Sequence, residues 1–450
     1  MTDLLGIGQS GVLAYRSALA AIGDNVANAE TPGYARRNVA LKDPGLAGSG
    51  SPVYSESIQF NGVKAGSVER AWDEFRAADT RFAAGADGRA QARERWLSHL
   101  ETALADGPTG IGNQLSTFFN AGTTLAANPS NSIARSAMLA ALDGAASAIR
   151  TTADALGRAG EGIARAATIE AEALNADLSA LAQVNVQLRQ AAKGGVTRAT
   201  LEDQRDRLID SVAGRIDVSV ATAADGQATL TLARAPGTIL LDPAQRSTAS
   251  VAIAADGRVA LQLSRDGTTT PLPATGGTLA GLADIAAATA DRRTEIDALA
   301  AGFAAAVNAW SANGRTDAGT AGPPLLTIGA GAATLALAAV TIADIAAASA
   351  DGTANGNLLA LPALRAGDGS AEARWALLVS QNAQTLAAAR YEAAATSARK
   401  ETSFADRDQV TGIDLDREAA ELMRFQQAYN GAARIIQVAR ETTQAILDLF

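Results

Sequence analysis

Apolar residues recur every seven positions at both ends of the chain. Toward the C-terminus Leu415, Leu422, Tyr429, Ile436, Thr443 and Phe450 are spaced by seven, and Phe425, Ala432, Ala439 and Ile446 stand three places after four of them. This a/d pattern, unbroken by Pro, predicts a long helix from Gly412 to Phe450 packed lengthwise on another helix. At 1.5 Å per residue it runs roughly 50 Å, too long for the core of one compact domain. At the N-terminus Leu5, Val12, Leu19 and Val26 repeat at seven, with Gly8, Tyr15, Ile22 and Ala29 three places after each. Either helix alone would leave its apolar stripe uncovered. The simplest closure pairs the two terminal helices and loops the intervening chain outward.

Between the ends the period changes several times. Asn28 to Thr31 should stop the first helix, because Pro32 biases Thr31 away from the α region. Gly-, Pro- and Ser-rich chain follows to about Val68, with extended pieces at Val53–Tyr54 and Ile58–Phe60. Helical patterns cover residues 69–105, with Trp96, Leu97, Leu100 and Leu104 as one stripe, then a run from Ile111, and nearly all of 131–213. Asn185 stands in the 4-3 spacing of Leu174, Leu178, Leu181 and Leu188, either as a register-fixing polar residue in a seam or as a partly exposed side chain. From Ile216 the period becomes two, through Val218, Val220, Leu230, Leu232, Val259, Leu261 and Leu263, with turns at Asp225-Gly226, Asp256-Gly257 and Asp266-Gly267. Helix returns from Leu279 to Trp310 and from Ala371 to Phe404, separated by Gly- and Pro-punctuated chain with a strand-like stretch at Thr334 to Ile342. Thr411 and Asp414 resemble a capping box for the last helix.

The predicted fold is mainly α with inserted β: a terminal coiled-coil pair, a long helical bundle and a small antiparallel β module. Its parts are 1–60, an assembly segment pairing with 405–450; 61–213, 276–312 and 369–404, three stretches of the bundle; 214–275, the β module; and 313–368, a small irregular or β lobe.

Composition narrows the chemistry. At 450 residues the chain should hold more than one domain, and its many Ala and few aromatics favour long, thinly packed helices. A formal charge of −9 with no basic cluster argues against nucleic acid. No stretch reads as a membrane span, and the first residues have no basic segment, continuous apolar segment or small-residue cleavage site of a secretory signal. With no Cys and a single His, His99, zinc sites and Ser-His-Asp constellations lack parts, so no catalytic residue, cofactor or metal is expected. Asp414, Asp416 and Glu418 read as first-turn acids favouring the positive end of a helix. Asp203 and Arg207 fall at i,i+4 in the charge-dense LEDQRDRLID and read as a solvated pair. The cluster Asp24, Asn25, Asn28, Thr31, Pro32, Gly33 and Tyr34 either caps the first helix and shapes the turn, with capping favoured for Asn28, or bonds to an adjacent subunit.

Two stretches carry a resemblance. SGVLAYRSALAAIGDNVANAETPGYARRNV near the start and GIDLDREAAELMRFQQAYNGAARII near the end resemble the shared termini of flagellar rod, hook and hook-associated axial proteins. IGNQLSTFFNAGTTLAANPSNSIARSAML at 111–139, LEDQRD at 201–206, GGTLAGL at 276–282 and FAAAVNAW at 303–310 resemble the helical domain of the family's hook–filament junction members. Asp24 stands where the family pattern shows a second Asn, and the outer β region is smaller than usual. The resemblance implies a structural adaptor that self-assembles between hook protein on one side and a second junction protein and flagellin-side subunits on the other. It implies an export chaperone, type III export without a cleaved signal, and an extracellular place in the flagellum. The seam residues would then be Leu5, Val12, Tyr15, Leu19, Ile22 and Val26 with Leu415, Leu422, Phe425, Tyr429, Ile436, Ile446 and Phe450. Another axial subunit, of the hook or rod, is the alternative and would have a β-dominated middle. An exported enzyme acting on the cell wall, using carboxylates such as Asp203, Asp206 or Asp416, is a third reading.

Overall fold

The computed structural model describes residues 2–43 and 62–448. The extended pieces expected at Val53–Tyr54 and Ile58–Phe60, and the seam residue Phe450, lie outside the described residues.

In chain order the elements are α1 (Thr2–Ala27), β1 (Arg37–Lys42), β2 (Lys64–Arg70), α2 (Glu74–Ala103), α3 (Ile111–Ala127), α4 (Ser132–Gln190) and α5 (Val196–Arg215). Then come β3 (Val218–Thr222), β4 (Ala228–Leu232), β5 (Ala235–Leu241), β6 (Thr248–Ile253), β7 (Val259–Arg265) and β8 (Thr268–Pro271). The remainder is α6 (Gly277–Asn313), β9 (Leu326–Thr327), β10 (Ala336–Leu337), α7 (Gly356–Ala360), α8 (Ala371–Thr411) and α9 (Leu415–Leu447). The fold is mainly α with small antiparallel sheets, and the terminal helices α1 and α9 pack together. The chain divides into two compact units, and each of α2, α4 and α8 contributes residues to both.

The first unit holds residues 1–85, 173–248 and 398–450. Here α1 lies on α9 and on the β1–β2 hairpin, with Ala18, Ile22, Val39 and Phe425 as a buried cluster and the Tyr15 ring 6.2 Å from Phe425. The helices approach closely because the seam is small: a Cβ on Gly8 would stand 2.7 Å from Ile436 Cγ1, and one on Gly11 2.9 Å from Ala432 Cβ. The same unit holds the three-stranded sheet β3–β4–β5.

The second unit holds residues 86–172 and 249–397. Its core gathers Phe118 and Phe119 of α3 with Phe303 of α6, Phe118 meeting Phe303 edge-on at 6.0 Å. Trp310 on α6 donates to the Asn357 carbonyl, and buried Asn357 donates back to Trp310 O and to Ala346 O, which fastens the irregular segment to α6.

Several expectations are revised. The strands of 214–275 form two three-stranded sheets rather than one module, β3–β4–β5 and β6–β7–β8. Ile216 caps the end of α5 and is not a strand residue. The turns stand as read: Gly226, Gly257 and Gly267 have positive φ, and Asp266 joins Gly267 there. Asn185 is neither a helix-seam residue nor exposed. It donates to Ala228 O at 2.8 Å and accepts from Ala228 N–H at 2.9 Å, imitating a neighbouring strand at β4. Thr334 to Ile342 contains only the two-residue strand β10 between short 3-10 turns, where Ala336, Ala338 and Ala339 offer little side chain to hold a ladder. Thr411 ends α8, and Asp414 is itself the N-cap of α9, accepting from Asp416 N–H and Arg417 N–H.

Candidate assembly interface and its buried ion network

The turn after α1 is built by its own polar residues. Asn28 donates from Nδ2 to Asp24 O and accepts from the Thr31 hydroxyl, which closes the helix end. Thr31, Pro32 and Gly33 are exposed, and Gly33 has φ +72° with Arg207 folded against it, where any Cβ would collide. Arg207 donates to the Pro32 carbonyl. A cleft of about 620 Å³ opens here, lined by this turn, Trp72, Asp206, Arg407 and Asp414 among others.

Behind the turn the polar groups are buried. Asn25 is fully buried and makes four bonds: its Nδ2 donates to Arg37 O and Glu418 Oε2, while its Oδ1 accepts from Arg37 N–H and the Tyr34 hydroxyl. Glu418 on α9 is also fully buried and pairs with Arg36 at 2.5 Å. Asn25 and Glu418 therefore join the end of α1 to the start of α9. Burial pushes the Tyr34 phenol up to about 12, against the opposing pull of Arg37 and with help from Asp24, Asp203 and Glu418.

Arg37 continues the network inward. It pairs with Asp203 at 2.9 Å and donates to the Thr200 hydroxyl, while Arg70 of β2 bridges Asp203 at 2.8 Å and Asp206 at 2.9 Å. Arg205 and Arg81 also reach Asp206, and Arg81 and Arg407 reach Asp210 at 3.1 and 2.6 Å. The Arg70 guanidinium lies 4.8 Å from the centre of a Trp72 ring. The solvated Asp203–Arg207 pair is thus corrected. Arginines from β1 and β2 neutralise Asp203 in the interior, and Arg207 turns to the Pro32 carbonyl. Glu418 stands in the first turn of α9 as read, and in addition it is buried and paired with Arg36.

Arg36, Arg37, Arg70, Arg81 and Arg407 were not singled out from the sequence. A usable signal lay in α5, where Asp203, Asp206 and Asp210 recur at three and four residues, the spacing of one helix face.

The named seam residues scatter across this structure. Ile22 and Phe425 are buried; Val12, Tyr15, Leu19, Leu422, Tyr429, Ile436 and Ile446 are partly buried; Leu5, Val26 and Leu415 are exposed. The positions that close α1 against its neighbours are Gly8, Gly11, Ala14, Ala18, Ile22 and Asn25, and those of α9 are Glu418, Phe425, Ala432 and Ala439. Leu4, Leu5, Leu13 and Val26 on α1, with Leu415, Met423, Ile435, Val438 and Leu447 on α9, remain exposed. Among the described residues no cluster of His, Asp and Glu is arranged to hold a metal ion, and no helix is long and apolar enough to cross a membrane.

Comparison with known proteins gives this architecture relatives. Residues 97–326, slightly more than half the chain, match the family described as the flagellar hook-associated protein FlgK helical domain, and residues 5–34 match the flagella basal body rod protein family. Flagellar hook-associated protein 1 of Bacillus subtilis is 28% identical over 232 residues, 51% of this chain and 45% of that protein. Its counterpart in Salmonella typhimurium is 26% identical over 235 residues, 52% of this chain and 42% of that protein. The matched stretches therefore span less than half the length of these relatives. The flagellar hook junction protein FlgK of Burkholderia pseudomallei shares the fold at a TM-score of 0.51 and 21% identity, over 56% of this chain and 47% of that one. With the helical-domain match running through more than half of its residues, the chain belongs to the flagellar hook-associated protein FlgK family.

Proposed function

We propose that this chain is a structural subunit of the bacterial flagellum that joins hook to filament and allows flagellin to assemble. One observation carries the reading: α1 and α9, from opposite ends of a hook-associated family chain, cover each other on one face and leave apolar side chains exposed on the others. Uncovered apolar stripes on paired helices suit burial against further helices. Leu5, Val26, Leu415 and the exposed Met423 and Val438 then contact neighbouring copies, and the exposed Thr31–Gly33 turn contacts an adjacent subunit. Hook protein, a second junction protein and flagellin-side subunits are the partners, with an export chaperone before assembly. The site of action is extracellular, reached through the flagellar export channel. The family supports a structural rather than an enzymatic role.

The rod-family match at residues 5–34 favours a second reading, a hook or rod subunit. The helical middle, α3 to α6, weighs toward the junction. Electron microscopy of cells lacking the gene, with flagellin assayed in the medium, separates the two. Hooks without filaments and flagellin shed to the medium are expected. Absent hooks would move the chain to a rod or hook role, and normal filaments in a strain with no second copy would reject both.

A further inference from the structure

One row of the seam between α1 and α9 repeats at seven residues, mostly small and with a single polar layer, while a second row seats Ile436 on Gly8. Gly11, Ala18 and Asn25 stand seven apart on α1, and Glu418, Phe425, Ala432 and Ala439 stand seven apart on α9; all are buried. The contacts run antiparallel: Asn25 bonds Glu418, Ala18 shares a cluster with Phe425, and Gly11 faces Ala432. Sliding one helix by a heptad in one direction sets Ala432 opposite Ala18 and Ala439 opposite Gly11, small against small, and in the other moves Phe425 from Ala18 to Gly11, where there is more room, and Ala432 to Leu4. Apolar layers of this kind specify register weakly. The polar layer behaves differently. One slide sets Glu418 against Ala18, and the other sets Asn25 against Phe425, and a buried polar or charged group without its partner is strongly disfavoured. Asn25 and Glu418 are also the only polar residues among the buried positions described on the two helices.

From this we infer that the Asn25–Glu418–Arg36 layer sets the register in which the terminal helices pair, and so decides which apolar side chains the pair turns outward. The inference stands on the packing of the pair and does not depend on the junction role. The three residues act as positioning residues. Asn25 and Glu418 hold each other, and Arg36 supplies the charge that lets Glu418 stay buried.

The chain has no Cys, so engineered pairs report register on the full-length protein. Ala432→Cys is combined in turn with Gly11→Cys, the native alignment, and with Leu4→Cys or Ala18→Cys, one heptad off on either side. With Asn25 and Glu418 intact, the disulfide is expected between 11 and 432 alone. In a chain carrying Asn25→Leu and Glu418→Leu, helix content and urea midpoint should hold, while an off-register disulfide appears and the native one falls. This combination sets register apart from stability, since apolar substitutes often stabilise a site that held an ion pair. Native product alone from a folded double variant would overturn the inference and leave register to the linkers; so would off-register product with the layer intact. Should the double variant not fold, Glu418→Gln decides: it keeps the bond from Asn25 and removes the charge facing Arg36. Off-register product in that variant supports the inference, and its absence rejects it.

Discussion

Asp203 shows how much one side chain can organise. It is almost wholly buried and pairs with two arginines, Arg37 and Arg70, the second of which it shares with Asp206. Removing one member of such a buried set leaves the others uncompensated, at a cost of about 3–5 kcal/mol. Asp203→Ala should therefore lower the unfolding free energy by that order, read from urea denaturation, and added salt should not restore it. A loss under about 1 kcal/mol, the range of an exposed pair, would show that the arginines find other partners. Tyr34 makes a prediction in pH. Its phenol is raised from 10.0 to about 12, first by burial, so the neutral form is favoured in the folded state. The stability this contributes is intact below pH 10 and is lost as pH rises through about 12. Titration of phenolate absorbance should show a late-ionising step that Tyr34→Phe removes; identical titrations of the two chains above pH 10, apart from total amplitude, would contradict it. These roles were only partly legible. LEDQRDRLID stood out as charged, yet charge density alone favours a solvated face, and the burial of Asp203 follows from strands β1 and β2, which are distant in sequence.

The terminal helices are where periodicity told most. The heptads at both ends forecast a pair, and α1 and α9 do pack together. What the heptads did not convey is that the contact runs on Gly and Ala, with Leu5 and Leu415 outside it, because close approach of two backbones favours small residues over large ones. Substitutions along α1 make this measurable. A Cβ at Gly6 or Gly23 meets nothing within 4 Å, so Gly6→Ala and Gly23→Ala should each stabilise by up to about 1 kcal/mol through helix propensity. The same change at Gly8 brings a Cβ to 2.7 Å from Ile436 Cγ1 and 3.1 Å from Ala432 O, and the crowding should exceed the propensity gain. Thermal unfolding should rank Gly23→Ala above the parent chain and Gly8→Ala below it; the reverse order would mean that the helices can part at little cost. Asn185 shows the opposite limit of pattern reading. Its spacing is that of a helix seam, but its amide serves the edge of β4, a partner that helical periodicity cannot name.

At the scale of the molecule, the two-fold composition of the chain was only half visible. The alternation between Val218 and Leu263 marked β structure, but nothing in it says that the strands close into two sheets instead of one, since the Asp-Gly turns at 225–226, 256–257 and 266–267 are alike in both sheets. The long helices were visible because their stripes persist, and the division of the chain was not, because it falls within α2, α4 and α8 where periodicity does not change. Three of the stretches that carried the resemblance prove to be spatial neighbours: the turn after α1, the start of α9 and the acids of α5 lie in one network of the first unit.

That network contains an adjacent pair, Arg36 and Arg37, of which the first reaches Glu418 and the second Asp203. In extended backbone successive side chains leave on opposite sides, so the two arginines divide their duties by parity. Which side each one leaves on is set at the Arg37 backbone, where Asn25 bonds both the N–H and the carbonyl and Arg70 of β2 stands opposite. The turn before it has one fixed point, Gly33 at φ +72° against Arg207, while the exposed Glu30 carries no such demand. A frame anchored after the turn delivers each guanidinium to its own carboxylate even where the turn's sequence drifts.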